Sequence, residues 1–168
     1  INAADQKLYM AMSRIESSMR SDPTEPADHI RLPENKAGAT YTLELKAGIK
    51  DAQGNAINSD WVATRMYVEP KLLGKPIAAD ALGNTADVNA IANTDNLFFS
   101  PKLRTLFIGE DSGMHINNFV WAYNVDTQKL TRILSLTAGA ESTGLQVVEN
   151  LNGHAYIMSN AQHHGDFP

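Results

Sequence analysis

Apolar residues fall along this chain in short runs separated by polar, turn-forming stretches, the spacing of β-strands rather than helices. The runs predict strands over Lys7–Ser13, Thr40–Lys46 and Trp61–Val68, then over Leu97–Ser100, Thr105–Gly109, Phe119–Asn124 and Lys129–Leu136. "TYTLELK" alternates well, and in "KLTRIL" Leu130, Arg132 and Leu134 share one face while Thr131 and Ile133 share the other. Apolar residues on both faces imply a sheet covered on both sides. "NVDTQ" at 124–128 has the composition of a hairpin turn. "KDAQGNAINSD" (50–60) reads as a turn-rich connector and the small, polar 77–95 as a loop. The polar stretch 16–38, with its three prolines, reads as a surface loop insertion.

A weak internal repeat organises these runs. The segments "INAADQKLYMAMS" (1–13), "FSPKLRTLFIGED" (99–111) and "VENLNGHAYIMSN" (148–160) align without gaps, each a polar turn followed by a short apolar run. The second and third copies lie 49 residues apart (148 against 99), near the period of propeller blades, about 40–50 residues. Four short strands per repeat is what a blade requires. The expected fold is therefore all-β: residues 1–168 form a single fragment of a β-propeller domain, with material for two to three blades. Radial closure takes about four to eight blades, so the missing blades or another copy of the chain are the expected partners. The first and last residues read as cut ends of a longer chain.

Composition narrows the function classes. The 168 residues carry a net charge of −5 and no basic stripe, which argues against a nucleic-acid partner. No apolar run is long enough for a membrane-spanning helix, so no membrane partner is expected. The absence of cysteine removes disulfides, thiolate metal sites and cysteine nucleophiles, but does not fix the compartment. No serine sits in a G-x-S-x-G elbow, and no phosphate loop, dinucleotide fingerprint or EF-hand loop is present. "DAQGNAINSD" has a slight look of a calcium loop but lacks its spacing and terminal Glu.

Candidate chemistry gathers at strand ends. Asp95 and Asn96 precede one apolar run, and Glu110 and Asp111 follow the next. Carboxylate and amide oxygens are the ligands of hard cations such as Ca²⁺; Asx-turn capping is the competing reading of Asp95 and Asn96. Glu110 and Asp111 are neighbours on a strand and point to opposite faces, so one of the two can face a central axis while the other faces the interior or solvent. His163 and His164 close the third repeat copy; adjacent histidines on an extended segment diverge, so at most one enters a given site. His115 and His154 sit in turns. Arg14, beside Ser13 and Glu16, can clamp a phosphate or carboxylate, or stay solvated.

The segments "NTDNLFFSPKLRTLFIGEDS", "NNFVWAYNVDTQKLTRIL", "AGAESTGLQ" and "YIMSNAQHHGD" together resemble the PhoX-type alkaline phosphatase family, secreted bacterial phosphatases. "DQKLYMAMSRIESSM" and "GNTADVNAIANTDN" fit the same family, which would place this chain in its C-terminal portion. The resemblance implies a six-bladed propeller and a periplasmic or secreted location. It implies calcium and iron (Ca²⁺, Fe³⁺) bound mainly by carboxylates at the central axis, and hydrolysis of a phosphate-ester substrate. It carries Asp95, Asn96, Glu110 and Asp111 over as metal ligands and Gln162 and His163 as substrate-binding residues; Arg14 joins the substrate-binding set on its own chemistry. It names no catalytic nucleophile. The family's site also draws on earlier blades and a cysteine, both missing here, so the fragment alone is expected to be incomplete and inactive. A non-catalytic propeller module for binding or scaffolding is the alternative.

Overall fold

The computed structural model describes residues 1–20, 23–24 and 32–164. Among these residues the chain is all-β, with one 3₁₀ turn at Ser17–Met19 and no α-helix. Three antiparallel sheets follow one another along the chain. The first holds β1 (Lys7–Met12), β2 (Ala39–Lys46) and β3 (Val62–Leu73) in that order. The middle sheet is a four-stranded meander of β4 (Thr94–Ser100), β5 (Thr105–Glu110), β6 (Asn117–Asn124) and β7 (Lys129–Ala138). The third pairs β8 (Glu141–Leu151) with β9 (His154–Gln162). None of the sheets closes on itself. The three repeat copies each fold as a turn followed by a strand: β1, β5 and β9.

The sheets pack face to face, and the middle sheet is apolar on both sides, as its sequence predicts. Leu106 and Ile108 of β5, with Phe119, Trp121 and Tyr123 of β6, meet Tyr9, Val68 and Leu72 of the first sheet. The opposite face sets Phe107 and Val120 against Leu145 and Val147 of the third. Leu106 and Ile108 are fully buried, and each contributes about 1.5–3 kcal/mol through lost apolar exposure. β4 sits beside both β1 and β8, so it is the strand where all three sheets come together.

Several elements differ from expectation for local reasons. β3 runs on to Leu73, through Pro70, because the register jumps from Ala39↔Leu73 to Tyr41↔Val68; such an irregularity accommodates a residue with no N–H to give. β4 starts at Thr94 rather than Leu97. Thr94 pairs with Glu110, and its buried hydroxyl donates to Ala39 O at 3.3 Å and accepts from Thr40 Oγ1 at 3.1 Å. β8 occupies 141–151, where the sequence shows no clean alternation. The stretch 16–38 is not simply a polar surface loop. Ile15 and Asn35 exchange backbone hydrogen bonds at 2.9 Å, and Met19 and Leu32 pack with Ile15 and Tyr41. Residues 21–22 and 25–31 of that stretch lie outside the described residues.

Candidate metal centre

Asp95, Asp111 and Glu141 each bring one carboxylate oxygen to within 4.8 Å of the others. They arrive from three chain segments: the start of β4, the end of β5 and the start of β8. Asp95 lies at a register shift between Thr94↔Glu110 and Asn96↔Gly109, and such bulges re-aim a side chain. Asp95 and Asp111 are exposed, and Glu141 is half-buried. The Glu141 carboxyl is held above its ordinary range, first by burial and then by the charges of Asp111 and Asp95, with His163 opposing them. Three carboxylates at this range repel one another unless a cation or proton neutralises them.

Close approach of the middle and third sheets makes the cluster possible. A Cβ at Gly109 would stand 2.5 Å from Ser142 Oγ, so only glycine lets β5 lie against the start of β8. Asn96 closes the same seam. Its Nδ2 donates to Asp95 Oδ2 and to Ser142 O, both at 3.1 Å, so it orients Asp95 while tying β4 to β8. Buried Asn118 adds a further tie. Its Oδ1 accepts from Ser112 N at 2.9 Å and its Nδ2 donates to Ala140 O at 2.9 Å, gripping the residue after Asp111 and the residue before Glu141.

Glu110 does not join this cluster. It follows Leu106 and Ile108 on the inward face of β5 and is completely buried. Its Oε1 accepts from Ala92 N at 2.9 Å and Trp121 Nε1 at 2.7 Å. Its Oε2 accepts from Phe119 N at 3.0 Å, and His115 Nδ1 lies 3.0 Å from the same oxygen. Three donors and the facing His115 ring nitrogen enclose the carboxylate, which leaves it no lone pair facing a cation. The pair does split, with Asp111 at the rim and Glu110, which the resemblance carries over as a metal ligand, in the interior. His115, in the turn before β6 as expected, is buried and faces Glu110.

Of the remaining candidates, Gln162 and His163 lie beside Glu141. Glu141 pairs with Gln162 in the β8–β9 register. Gln162 Nε2 is 2.9 Å from His163 Nε2, and His163 Nε2 is 3.8 Å from Glu141 Oε2. His164 and His154 are exposed and form no part of the cluster. Ser13 Oγ donates to Thr94 O at 3.2 Å, which places Arg14 one residue from the carbonyl that leads into Asp95. The exposed Arg14 side chain lies 3.8 Å from Glu16. Sequence reasoning missed Glu141, which sits in "GAESTG" with no apolar run to mark it. The connector at 50–60 is no cation loop: Asp51 Oδ1 accepts from Gln53 N and Asn55 N at 2.9 and 2.8 Å. Compared with protein-family models, curated proteins and solved structures, the chain matches none.

Proposed function

We propose that the rim carrying Asp95, Asp111 and Glu141 is one side of a divalent-cation centre, calcium in the first instance, used for phosphate-ester hydrolysis on a partial propeller. The observation that carries the reading is the convergence of three carboxylates from three chain segments, with Glu141 pushed up by burial and then by its acidic neighbours. An all-oxygen donor set suits a hard cation. The family resemblance supplies the phosphoryl chemistry, the secreted setting and the expectation of iron, and supports reading successive face-to-face sheets as blades. The family's site also draws on a cysteine, which this chain lacks.

When bound, a cation here offsets negative charge on a phosphoryl group and lowers the pKa of coordinated water. The chain's residues do the rest. Asp95, Asp111 and Glu141 hold the cation, and Asn96 keeps Asp95 turned toward it. Arg14 offers a guanidinium to phosphoryl oxygens, which it grips in a forked geometry. His163, beside Glu141, stands where a proton can be held close to the centre.

The test is a pair of measurements. Isothermal titration with Ca²⁺ is expected to show binding that Asp111→Asn and Glu141→Gln abolish. Hydrolysis of p-nitrophenyl phosphate by the parent protein is expected to fall with the same substitutions. Normal calcium-dependent turnover in both variants would end this reading.

A further inference from the structure

The residue that holds this rim in one frame is Asn93, which carries no charge and lies beneath the surface. It is 2 % exposed and has φ of 43°, a left-handed conformation that most side chains avoid. Asn93 Nδ2 donates to Ser13 O at 2.7 Å and to Lys36 O at 2.8 Å. Its Oδ1 accepts from Ser112 Oγ at 2.6 Å. Its backbone N–H donates to Ala37 O at 2.8 Å, and its carbonyl accepts from Asp111 N at 3.1 Å. The partners are thus the peptide leading into Arg14, the loop before β2, the amide of Asp111 and the hydroxyl that follows it. Asp95 lies two residues on, in β4.

We infer that Asn93 is a positioning residue for the cation centre: it fixes Asp95 against Asp111 and ties the Ser13–Arg14 peptide to the same frame. The inference rests on the cation-centre reading above. No other side chain meets all the demands. Glycine adopts the backbone but makes none of the three side-chain bonds. Aspartate tolerates the backbone but cannot donate, which leaves Ser13 O and Lys36 O unmatched. Glutamine is one methylene too long for a site this buried. A chain of contacts then runs from Asn93 through Ser112 to Asn118 and Ala140, the residue before Glu141. All three carboxylates therefore hang on one hydrogen-bonded frame.

The experiment is calcium titration calorimetry on the unsubstituted chain, Asn93→Gly, Ser112→Ala and Leu106→Ala, at a temperature where each is folded. Asn93→Gly keeps the left-handed backbone and removes only the amide. Its calcium affinity is expected to fall on the order of tenfold, as for residues that orient metal ligands. Ser112→Ala should move the same way by less. Leu106→Ala lies at the far end of β5 from Asp111 and should lower the melting temperature while leaving calcium affinity unchanged. Unchanged affinity in Asn93→Gly overturns the inference while the cation centre stands. If Asn93→Gly fails to fold, unchanged affinity in Ser112→Ala overturns it instead. A loss in Leu106→Ala as large as in Asn93→Gly overturns it too, because affinity would then follow stability alone. No calcium binding by the unsubstituted chain overturns the cation reading and this inference together.

Discussion

Trp121 Nε1 donates to Glu110 Oε1 at 2.7 Å, in the buried layer between the first and middle sheets. The bond joins an indole on β6 to a carboxylate on β5 whose three other contacts reach Ala92, Phe119 and His115. Trp121→Phe should cost about 1–3 kcal/mol, the range for stranding one buried partner. Glu110→Gln should cost more, about 3 kcal/mol or above, because an NH₂ then faces donors. Urea unfolding checks both. Neither variant should abolish calcium binding, in contrast to the loss expected of Asp111→Asn. If Glu110→Gln proved harmless to folding, the buried node would have been misjudged.

Glu141 gives a pH signature. Its carboxyl is raised in the folded chain, so the folded state favours the protonated form. The stability that follows is present at low pH and is lost as pH rises through the raised value. Without cation, wild-type chain should therefore lose ground to Glu141→Gln as the pH passes from acid to neutral. Added Ca²⁺ should lower the Glu141 pKa and close that gap. Carboxyl NMR titration with and without calcium measures the shift, and an unmoved Glu141 would count against cation binding there.

Arg104 shows the opposite sign. Its Nη2 donates to Asp5 Oδ2 at 2.7 Å and Asp126 Oδ1 at 2.6 Å, and these bonds lower both carboxyl pKa values. Depressed carboxylates add stability at neutral pH that is lost as pH falls through their folded values, below the ordinary 3.8. Arg104→Gln should flatten the acid limb of a melting-temperature profile and make little difference in high salt, where exposed pairs are screened.

Two loops are built alike. "DAQGN" (51–55) and "DALGN" (80–84) share one pattern: an Asp Oδ1 accepts from the second and fourth following N–H groups. In each loop the final Asn Nδ2 donates to the other carboxylate oxygen. Gly54 and Gly83 have φ of 88° and 92°, so alanine strains either one by about 1–3 kcal/mol. Neither is crowded: a Cβ at Gly54 meets nothing, and one at Gly83 makes only ordinary contact with Ile116 Cδ1 at 3.4 Å. Thermal melts should show Gly54→Ala and Gly83→Ala damaging by similar amounts, and Asp51→Asn should leave calcium binding unchanged.

The strands and their turns are largely legible in the sequence because each has its own apolar run. Asp95 and Asp111 are legible for the same reason: they flank such runs. Their neighbour Glu110 is not, since β5 is apolar on both faces and alternation alone cannot say which face looks inward. Leu106 and Ile108 settle the phase only once the first sheet covers them. Glu141 was hidden because its strand opens on small residues, with Gly144 at φ of 60° interrupting the pattern. Asn93 and Asn118 read as loop amides; only burial reveals that they hold the rim together.

The seam at Gly109 and Ser142 has a consequence for how the chain matures. Two carboxylates belong to the middle sheet and the third to its neighbour, so the cluster exists only after those sheets have docked. A cation bound there would act as a rivet across the seam, with part of its affinity set by how well the sheets fit. Cation occupancy would then report on assembly itself, and a molecule caught with its third sheet undocked would carry no complete centre and could not act prematurely.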